Sequence, residues 1–552
     1  AAEYLRQLVG AGHRVAICEQ VEDPKLARGL VRREVVETLT PGALIQESWL
    51  HGSRNNFLVA IQQGNDCGLA AIDLSTGEFV LETLAAEGLN EAISRLAPAE
   101  IVTSSVDRTA LPDCAALITA REPWEFDVAL ARDELSRRFN LASLDGLGIG
   151  AQDERAVAAA GALLRYLTEL QPSGLPHLAR PVIRRSDAFL WIDEMTRRNL
   201  ELVEPLRAGV RGSTLLETID ATRTSMGARL LRQWVLSPLR EPEAINRRLD
   251  AVEVMVGDGR GRARLQEALD GVRDIERLGG RAAAGRATPR ELGALRDSFQ
   301  RLPDVAGALT ELAGSSLSSG SQSSALTEAA DELDLLADLG EELGAGLAER
   351  LPTSMADGGV IRAGFDPELD DLRSLRDNGR QYIAALQQRE RERTGIATLK
   401  VGFNKVFGYY LEVTHTHLAR VPADYERRQT LAAAERYVTP ELKDYEARVL
   451  GAEERMGVRE LELFTRLRAH VGEAVSRIQC TARVLARLDV WAGLADRAVT
   501  GRYVRPAVGV GYDLVLRGSR HPVIERMMPR ESFIPNHARF TESERVALVT
   551  GP

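Results

Sequence analysis

The chain has few cysteines, few aromatics and no long apolar run. Its 4 cysteines, Cys18, Cys67, Cys114 and Cys480, lie far apart and form no Cys-x-x-Cys pair. That spacing argues against structural zinc and makes reduced, cytosolic thiols the expectation. No stretch reaches the roughly 18 consecutive apolar residues that a membrane helix needs. No signal peptide is expected. Basic excess is missing as well: the formal net charge is −10, which excludes a protein coated in basic surface. It does not exclude DNA binding, because long solvated helices can carry the acid while one tip carries the base. At 552 residues the chain has room for several domains, each with its own core.

Proline is absent after Pro440 up to Val499, and apolar residues recur there every three or four positions. Leu442, Tyr445, Val449, Met456, Phe464, Leu467, Val471, Val475, Ile478, Leu485 and Leu488 mark this helical period. Thr439-Pro440 supplies a start signal, a side-chain oxygen before proline at the first helical position. About 60 residues at roughly 1.5 Å each would span about 90 Å, so one long projecting helix is expected. A second helix opens at Asp366-Pro367 and carries Leu369, Leu372, Ile383 and Leu386 on one face up to Gly395. Between the two, the period shortens to 2. Segments 398–404 and 407–414 are rich in β-branched and aromatic residues, with Gly408 where a turn fits. The chain is expected to run out along one helix, form a small β tip and return along the other. A coiled-coil spacer with an inert end fits the same pattern.

The tip favours contact. Lys400, Asn404, Lys405, Arg420, Arg427, Arg428, Gln429 and Lys443 gather there with Tyr409, Tyr410 and Tyr425. Cationic and amide side chains are the usual donors to phosphate oxygens. Glu412, Asp424, Glu426 and Glu435 are interspersed, so this is no polybasic tract.

The stretches Asn404-Lys405-Val406-Phe407-Gly408-Tyr409-Tyr410, Tyr425-Glu426-Arg427-Arg428-Gln429-Thr430-Leu431, Ala434-Glu435-Arg436-Tyr437 and Pro440-Glu441-Leu442-Lys443 resemble the clamp of the MutS family of DNA mismatch-repair proteins. In that family the clamp grips the duplex backbone without reading sequence. The resemblance implies DNA contacts from Asn404, Lys405, Arg427, Arg428 and Gln429. This chain departs from the family at Ala432-Ala433, where Lys-Asn is frequent, and so loses two potential contacts.

The resemblance continues along the chain. His13-Arg14-Val15-Ala16-Ile17-Cys18-Glu19-Gln20, Arg32-Arg33-Glu34-Val35-Val36 and Thr40-Pro41-Gly42 are similar to the end of the family's mismatch-recognition domain, with strands expected at 14–19 and 34–39. The family's Phe-x-Glu wedge belongs upstream. Residues 45–180 read as an α/β domain, with strands at 57–61, 68–74, 78–84 and 101–103 and a helix at 91–96. That pattern also suits a ribonuclease-H-like nuclease, with Asp73 as a possible metal ligand; partner carboxylates are not evident, and the MutS connector is non-catalytic. Asp193-Glu194-Met195-Thr196-Arg197-Arg198-Asn199, Ser213-Thr214-Leu215-Leu216-Glu217-Thr218 and Met226-Gly227-Ala228-Arg229-Leu230-Leu231-Arg232-Gln233-Trp234 resemble the family's core, or lever. Leu230, Leu231, Trp234 and Val235 are expected to pack in the core, and the Ser/Gly-rich stretch 314–324 to form a surface loop. Arg520-His521-Pro522-Val523 and Phe533-Ile534-Pro535-Asn536 resemble the start of the family's ATPase domain, where a phenylalanine stacks on adenine. Segment 545–550 looks like a strand entering a phosphate-binding loop at Gly551-Pro552, whose lysine and Mg²⁺-binding hydroxyl would follow.

The expectation is therefore an internal fragment of a MutS protein, multidomain and mostly α with α/β parts. It divides into a recognition-domain remnant (1–44), a ribonuclease-H-like connector (45–180), lever helices (181–365 and 440–500), a coiled-coil clamp arm with a β tip (366–439) and the start of an ABC-type P-loop ATPase domain (501–552). The resemblance implies nucleotide contacts from Phe533, Ile534, Gly551 and Pro552, with ATP and Mg²⁺ as cofactors of the parent. No catalytic residue and no resident metal ligand is assigned, and ATP hydrolysis by this chain alone is not expected. Duplex DNA with mismatches or small loops, a second copy and a MutL-type protein are the implied partners, in a cytoplasmic, nucleoid-associated bacterial setting. Alternatives are a MutS paralogue acting in recombination control and an SMC-like structural coiled-coil ATPase. The first lacks the mismatch domain and the β tip; the second places its phosphate loop before the arm.

Overall fold

The proline-free stretch forms two helices rather than one in the computed structural model. They span Pro440–Glu473 and Val475–Gly501, and Ala474 between them leaves helical geometry at ψ 8°. Two residues earlier, Gly472 touches helix Ile275–Ala283 so closely that a Cβ there would lie 2.8 Å from the Ala283 Cα. The apolar period runs straight through this point. The break falls where tertiary contact crowds the backbone, which periodicity does not register. The structure describes residues 2–20, 22, 31–104, 111, 114–172, 174–207, 212–319, 323–404, 408–431, 433–528 and 533–547. The chain divides into two compact units, one of Ala1–Ala287, Ala294–Gly340 and Ala469–Pro552, the other of Thr288–Gly293 and Glu341–Arg468.

In the first unit, helix Ala2–Gly10 precedes an antiparallel pair, Val15–Gln20 with Arg33–Leu39, bulged between Ile17 and Cys18. A 6-stranded sheet follows. Phe57–Gln62, Asp66–Asp73 and Glu78–Ala85 form an antiparallel meander. Glu100–Thr103 and then Leu117–Ala120 add in parallel beside the first strand, and Val182–Arg184 adds in parallel beside the third. That last strand lies past the sequence boundary at 180. Helix Glu154–Leu170 covers one face with Ala156, Ala159, Ala160 and Leu163, all fully buried. Small side chains let it come close: a Cβ on Gly68 would sit 2.0 Å from the Arg155 carbonyl carbon. Asp73 is fully buried, and its carboxylate accepts from Asn55 Nδ2 (3.0 Å), Asn56 N (3.1 Å), Ser75 N (2.9 Å) and Ser75 Oγ (2.7 Å). Its oxygens hold the turn that starts the next strand.

Helix Val475–Gly501 is the axis of the helical part of this unit. Its apolar and small residues cover all but a narrow stripe through Ser476, Cys480 and Arg483, and Ile478, Leu485, Leu488 and Val490 are fully buried. A helix apolar over most of its circumference has to be largely surrounded; helices Ser225–Leu236, Pro242–Gly257, Gly259–Asp270, Ile275–Ala283 and Ser324–Glu332 pack against it. Its Asp489 accepts from Arg223 N (2.8 Å), Thr224 N (2.8 Å) and Thr224 Oγ1 (2.7 Å), while Thr224 Oγ1 caps Gly227 N at 3.0 Å. On helix Ser225–Leu236 the expected core face is only partly right. Leu231 is buried, but Leu230, Trp234 and Val235 are half-buried, and the Arg248 guanidinium lies 3.6 Å from the Trp234 ring centroid. The charged Arg229 takes the buried place instead. Segment 314–324 is not a loop as far as Ser319: helix Leu302–Ser319 runs through its first part, and residues 320–322 lie outside the described residues. Leu302, Val305, Leu309 and Leu312, all fully buried at helical spacing, carry the helix into the Ser/Gly-rich stretch against its low propensity. Near the C-terminus, Leu514–Ser519 pairs antiparallel with Asn536–Phe540, and helix Pro522–Met527 lies between them with His521 as N-cap. Residues 545–547 are not in a strand, contrary to the sequence reading; Val546 is 86% exposed, so this apolar residue has no partner strand to bury it.

The second unit is built on helix Pro367–Thr394 and the greater part of Pro440–Glu473. The Asp366 carboxylate caps Leu369 N at 2.9 Å and pairs with Arg459, and Gly395 ends the helix at φ 67°, as the sequence signals require. Glu460, 3% exposed, accepts from three consecutive amides, Gly359 N (3.0 Å), Val360 N (2.9 Å) and Ile361 N (3.1 Å), and from Arg373 Nη2 (3.3 Å). This carboxylate ties the two helices and the preceding loop together.

Two stability effects follow. Glu460→Gln should destabilise the second unit by about 2–3 kcal/mol, because a charged acceptor of buried amides is lost; urea unfolding with hydrogen exchange read on 355–375 measures it. Burial pushes the Asp489 carboxyl up to about 6, against the hydrogen bonds from Arg223 and Thr224. A carboxyl raised in the folded state holds its proton there while the unfolded chain releases it, so its contribution is full below about pH 4 and fades as pH climbs through 6. The stability gap between wild type and Asp489→Asn should shrink over that window. A gap that widened from pH 4 to 7 would refute the assignment.

Candidate nucleic-acid interface

The tip of the second unit is a 4-stranded antiparallel sheet. Across the sheet the strands run Glu426–Thr430, Ala434–Val438, Gly408–Thr414 and Lys400–Asn404. The last two were expected from sequence; the first two escaped notice there, because their alternating polar residues lack the β-branched runs that signal strands. One sheet face packs on the helices through Leu386, Ile396, Leu399, Leu411, Val413 and Leu442. Tyr425 and Tyr437 belong to this core with ring centroids 5.7 Å apart. Tyr425, expected among the contact aromatics, is therefore turned inward, and its hydroxyl donates to Glu390 at 2.9 Å. Glu435 is buried too. It accepts from Tyr437 Oη (2.5 Å) and Arg427 Nη1 (3.4 Å), and the tyrosine bond does most to hold its carboxyl below the usual range.

Arg427, Arg428 and Gln429 lie on an edge strand. Its register against the neighbour slips between Arg427 and Gln429: Arg427 stands opposite Tyr437 and Gln429 opposite Arg436, with Arg428 as the extra residue. A bulge of this kind interrupts the alternation of side chains and re-aims them. Arg427 and Arg428 are both exposed. Gln429 is half-buried, its Oε1 accepting from Arg436 Nη1 at 3.0 Å, and the Arg436 guanidinium also covers the Tyr410 ring at 4.1 Å. Lys443 donates to Glu426 at 2.5 Å and Arg420 to the Gly395 carbonyl at 3.2 Å, so these two cations serve the tip's own structure. Lys400 is exposed. The backbone of Asn404 pairs with Gly408; Lys405 lies outside the described residues, as does Ala432. The site is thus a bulged edge carrying two adjacent cations, held rigid from behind by tyrosine–carboxylate bonds.

The expected nucleotide residues stand apart in the first unit. Phe533 is half-buried and Ile534 is 79% exposed; Gly551 and Pro552 lie outside the described residues. A cleft of about 560 Å³ on the adjoining strand pair is lined by Asp513, Arg517, His537 and Arg539 among others, without Phe533 or Ile534. Sequence reasoning overlooked a set of buried arginines, Arg229, Arg277 and Arg281. The signal was present: two arginines four apart on helix Ile275–Ala283, whose other residues are apolar or small except Glu276.

Family models match most of the chain. MutS domain I matches residues 1–48, MutS domain II residues 56–179 and MutS domain III residues 195–495. Among curated proteins, the DNA mismatch repair protein MutS of Methanothrix thermoacetophila is 42% identical over 555 residues, covering 100% of this chain and 62% of that protein. Its namesakes from Symbiobacterium thermophilum (42% over 566 residues, 100% and 63%) and Desulforamulus reducens (41% over 569 residues, 100% and 64%) are as similar. The chain thus spans about three-fifths of the length of these relatives.

Gly408 opens a tip strand at φ 73°, and a Cβ there would fall 1.8 Å from Glu446 Oε1. Gly408→Ala should destabilise the tip by about 1–2 kcal/mol through the left-handed backbone alone. The expected result is faster hydrogen exchange over 400–414, with the sheet strands at 57–103 unchanged. Equal protection in both proteins would show that the turn does not depend on glycine.

Proposed function

The chain belongs to the MutS family, and from that premise we propose that it supplies the duplex-embracing arm, the connector and the lever of a DNA mismatch-repair protein. The bulged edge strand with Arg427 and Arg428 carries this reading. Two adjacent exposed guanidiniums on a rigid edge suit phosphate oxygens, which fix a protein on the duplex without reading its sequence. Gln429 and Asn404 lie on the same small sheet, and Lys405 follows directly in sequence. The buried tyrosines behind the edge keep it from yielding when the duplex presses on it. In this role the arm holds any duplex, and discrimination of a mispair arises elsewhere in the whole protein.

The remaining assignments rest on family membership. Residues 45–180 act as a non-catalytic, ribonuclease-H-like connector; the meander extended by parallel strands supports that fold, and the hydrogen-bonded, turn-holding Asp73 argues for a structural part. Residues 181–365 and 440–500 act as the lever, 366–439 as the clamp, and 501–552 as the start of an ATPase domain using ATP and Mg²⁺. Phe533 offers an aromatic face for adenine. The phosphate-binding residues of the assignment, Gly551 and Pro552, lie outside the described residues. A homodimer, a MutL-type partner and a cytoplasmic, nucleoid-associated location complete the proposal.

The double substitution Arg427→Gln, Arg428→Gln should weaken binding to matched and mismatched duplexes alike. The slope of log K against log salt should become shallower by about one per lost contact. Loss of mismatch preference with an unchanged slope would mean that the tip reads bases. In the full-length protein, Phe533→Ala should weaken ATP binding, since a stacked aromatic face contributes about 0.5–1.5 kcal/mol beyond its buried area. Unchanged affinity for ATP would reject the stacking role.

A further inference from the structure

Residues 1–54 have little apolar core of their own. Among the described residues, Val9, Leu39 and Leu44 form its own buried cluster, while Ala43 and Ile45 are buried in the core of the 6-stranded sheet and its helices. So small a core is weak at fixing how the segment sits on its neighbours. Beyond the anchor of Ala43 and Ile45, the segment that leads from the first strand pair to the 6-stranded sheet is held by arginines of the helical core. Arg277, 1% exposed, donates Nη1 to the His51 carbonyl (3.0 Å), Nη2 to the Arg54 carbonyl (2.7 Å) and Nε to Ser75 Oγ (3.1 Å). Arg229 donates Nη1 to the Gly52 carbonyl at 3.0 Å while paired with Asp274 and Glu276. Arg281 donates Nη1 to Gln46 Oε1 at 3.0 Å and Nη2 to the Arg286 carbonyl at 2.9 Å. Further back, Arg286 pairs with Glu37 and donates Nη2 to Gln171 Oε1 at 2.6 Å, and Gln171 Nε2 donates to the same Glu37 oxygen at 3.1 Å.

Three parts of the chain thus meet in one hydrogen-bonded triangle: Glu37 from the N-terminal segment, Gln171 from the end of the connector helix, Arg286 from the core. Arg14 makes a separate contact, bonding to Thr119 and lying 3.9 Å from Glu100. Backbone carbonyls do not neutralise a guanidinium, so burying arginines against them costs solvation that apolar residues would not. What they supply is direction: a planar fork reaching two carbonyls fixes both distance and angle.

We propose that Arg277, Arg281 and Arg286 form a latch that sets the angle of residues 1–54 against the connector, with Arg286 as the positioning residue that opens first. Arg286 is the most accessible of the three, 26% exposed, and it depends on one carboxylate and one amide. Once Arg286 has opened, a shift of helix Ile275–Ala283 withdraws Arg277 and Arg281 together, and the N-terminal segment turns about its apolar anchor, Ala43 and Ile45, with the connector intact. Two readouts separate this latch from a general structural role. The first, exchange, does not rest on the proposed function. The second, mismatch preference, does.

Hydrogen exchange of this chain should show peptides covering 33–54 exchanging about tenfold faster or more in Arg286→Gln, with 57–103 and 475–501 unchanged. Glu37→Gln should do the same, and the double variant should be no faster than either single one, because both remove one interaction. Acceleration spread evenly over connector and core, or none over 33–54, would overturn the latch; additive effects of the two substitutions would overturn the pairing on which it depends. In the full-length protein, Arg286→Gln should lower the preference for a G·T duplex over a matched one while leaving matched affinity unchanged, and an unchanged preference would overturn the positioning role. A wild-type protein without any G·T preference would instead refute the mismatch reading and leave the latch to the exchange result.

Discussion

Helix Val475–Gly501 shows solvent only a narrow stripe through Ser476, Cys480 and Arg483, so the polar side chains on its other faces must be satisfied inside the protein, and the first unit is arranged around that demand. Asp489 takes the amides at the start of helix Ser225–Leu236. Gln479 donates to the carbonyls of Thr76 (2.9 Å) and His177 (2.7 Å) beside the 6-stranded sheet, and Thr481 donates to the Asp334 carbonyl at 2.9 Å. Three polar residues on one buried helix therefore address three different neighbours. Apolar burial supplies most of the free energy but is indifferent to small rotations. These bonds are not indifferent, and they set the register in which the 6-stranded-sheet domain and the surrounding helices meet.

The second unit solves a related problem with charge. Two helices must leave one point and end in a sheet, and apolar burial alone leaves their mutual angle open. Glu460 gathers three amides and Arg373 at that point, and Asp366 serves both as helix cap and as partner to Arg459. At the far end Tyr425–Glu390 and Tyr437–Glu435 repeat the device, a hydroxyl donating to a carboxylate beneath the sheet. Directional bonds thus hold both ends of the arm.

Much of this could be read in advance, and what could not has definable causes. Asp366, Pro367 and Gly395 announce a helix through local chemistry, and the helix lies between them. Gly408 announces a turn for the same reason. The interruption at Ala474 depends on contact with a helix some 190 residues earlier in the chain, and no local pattern encodes that. Segment 314–324 misleads because its composition is that of a loop while buried leucines before it propagate a helix. Tyr425 looks like a contact residue by type, but its burial follows from a strand pairing that polar sequence conceals. Within the candidate interface, the residue types at Arg427, Arg428 and Gln429 were legible. The bulge that presents them was not, since it exists only relative to the opposite strand.

That bulge has a further consequence, for self-association. An exposed edge strand is a template on which another chain can add a strand, and natural sheets blunt such edges with charge and irregular backbone. Strand Glu426–Thr430 has both, with Arg428 as the extra residue and a second arginine beside it. Two copies meeting edge to edge would bring like charges together and find no continuous ladder to extend. The feature suited to holding a polyanion therefore also keeps one tip from pairing with another, and a sequence selected for solubility alone would have reason to keep it.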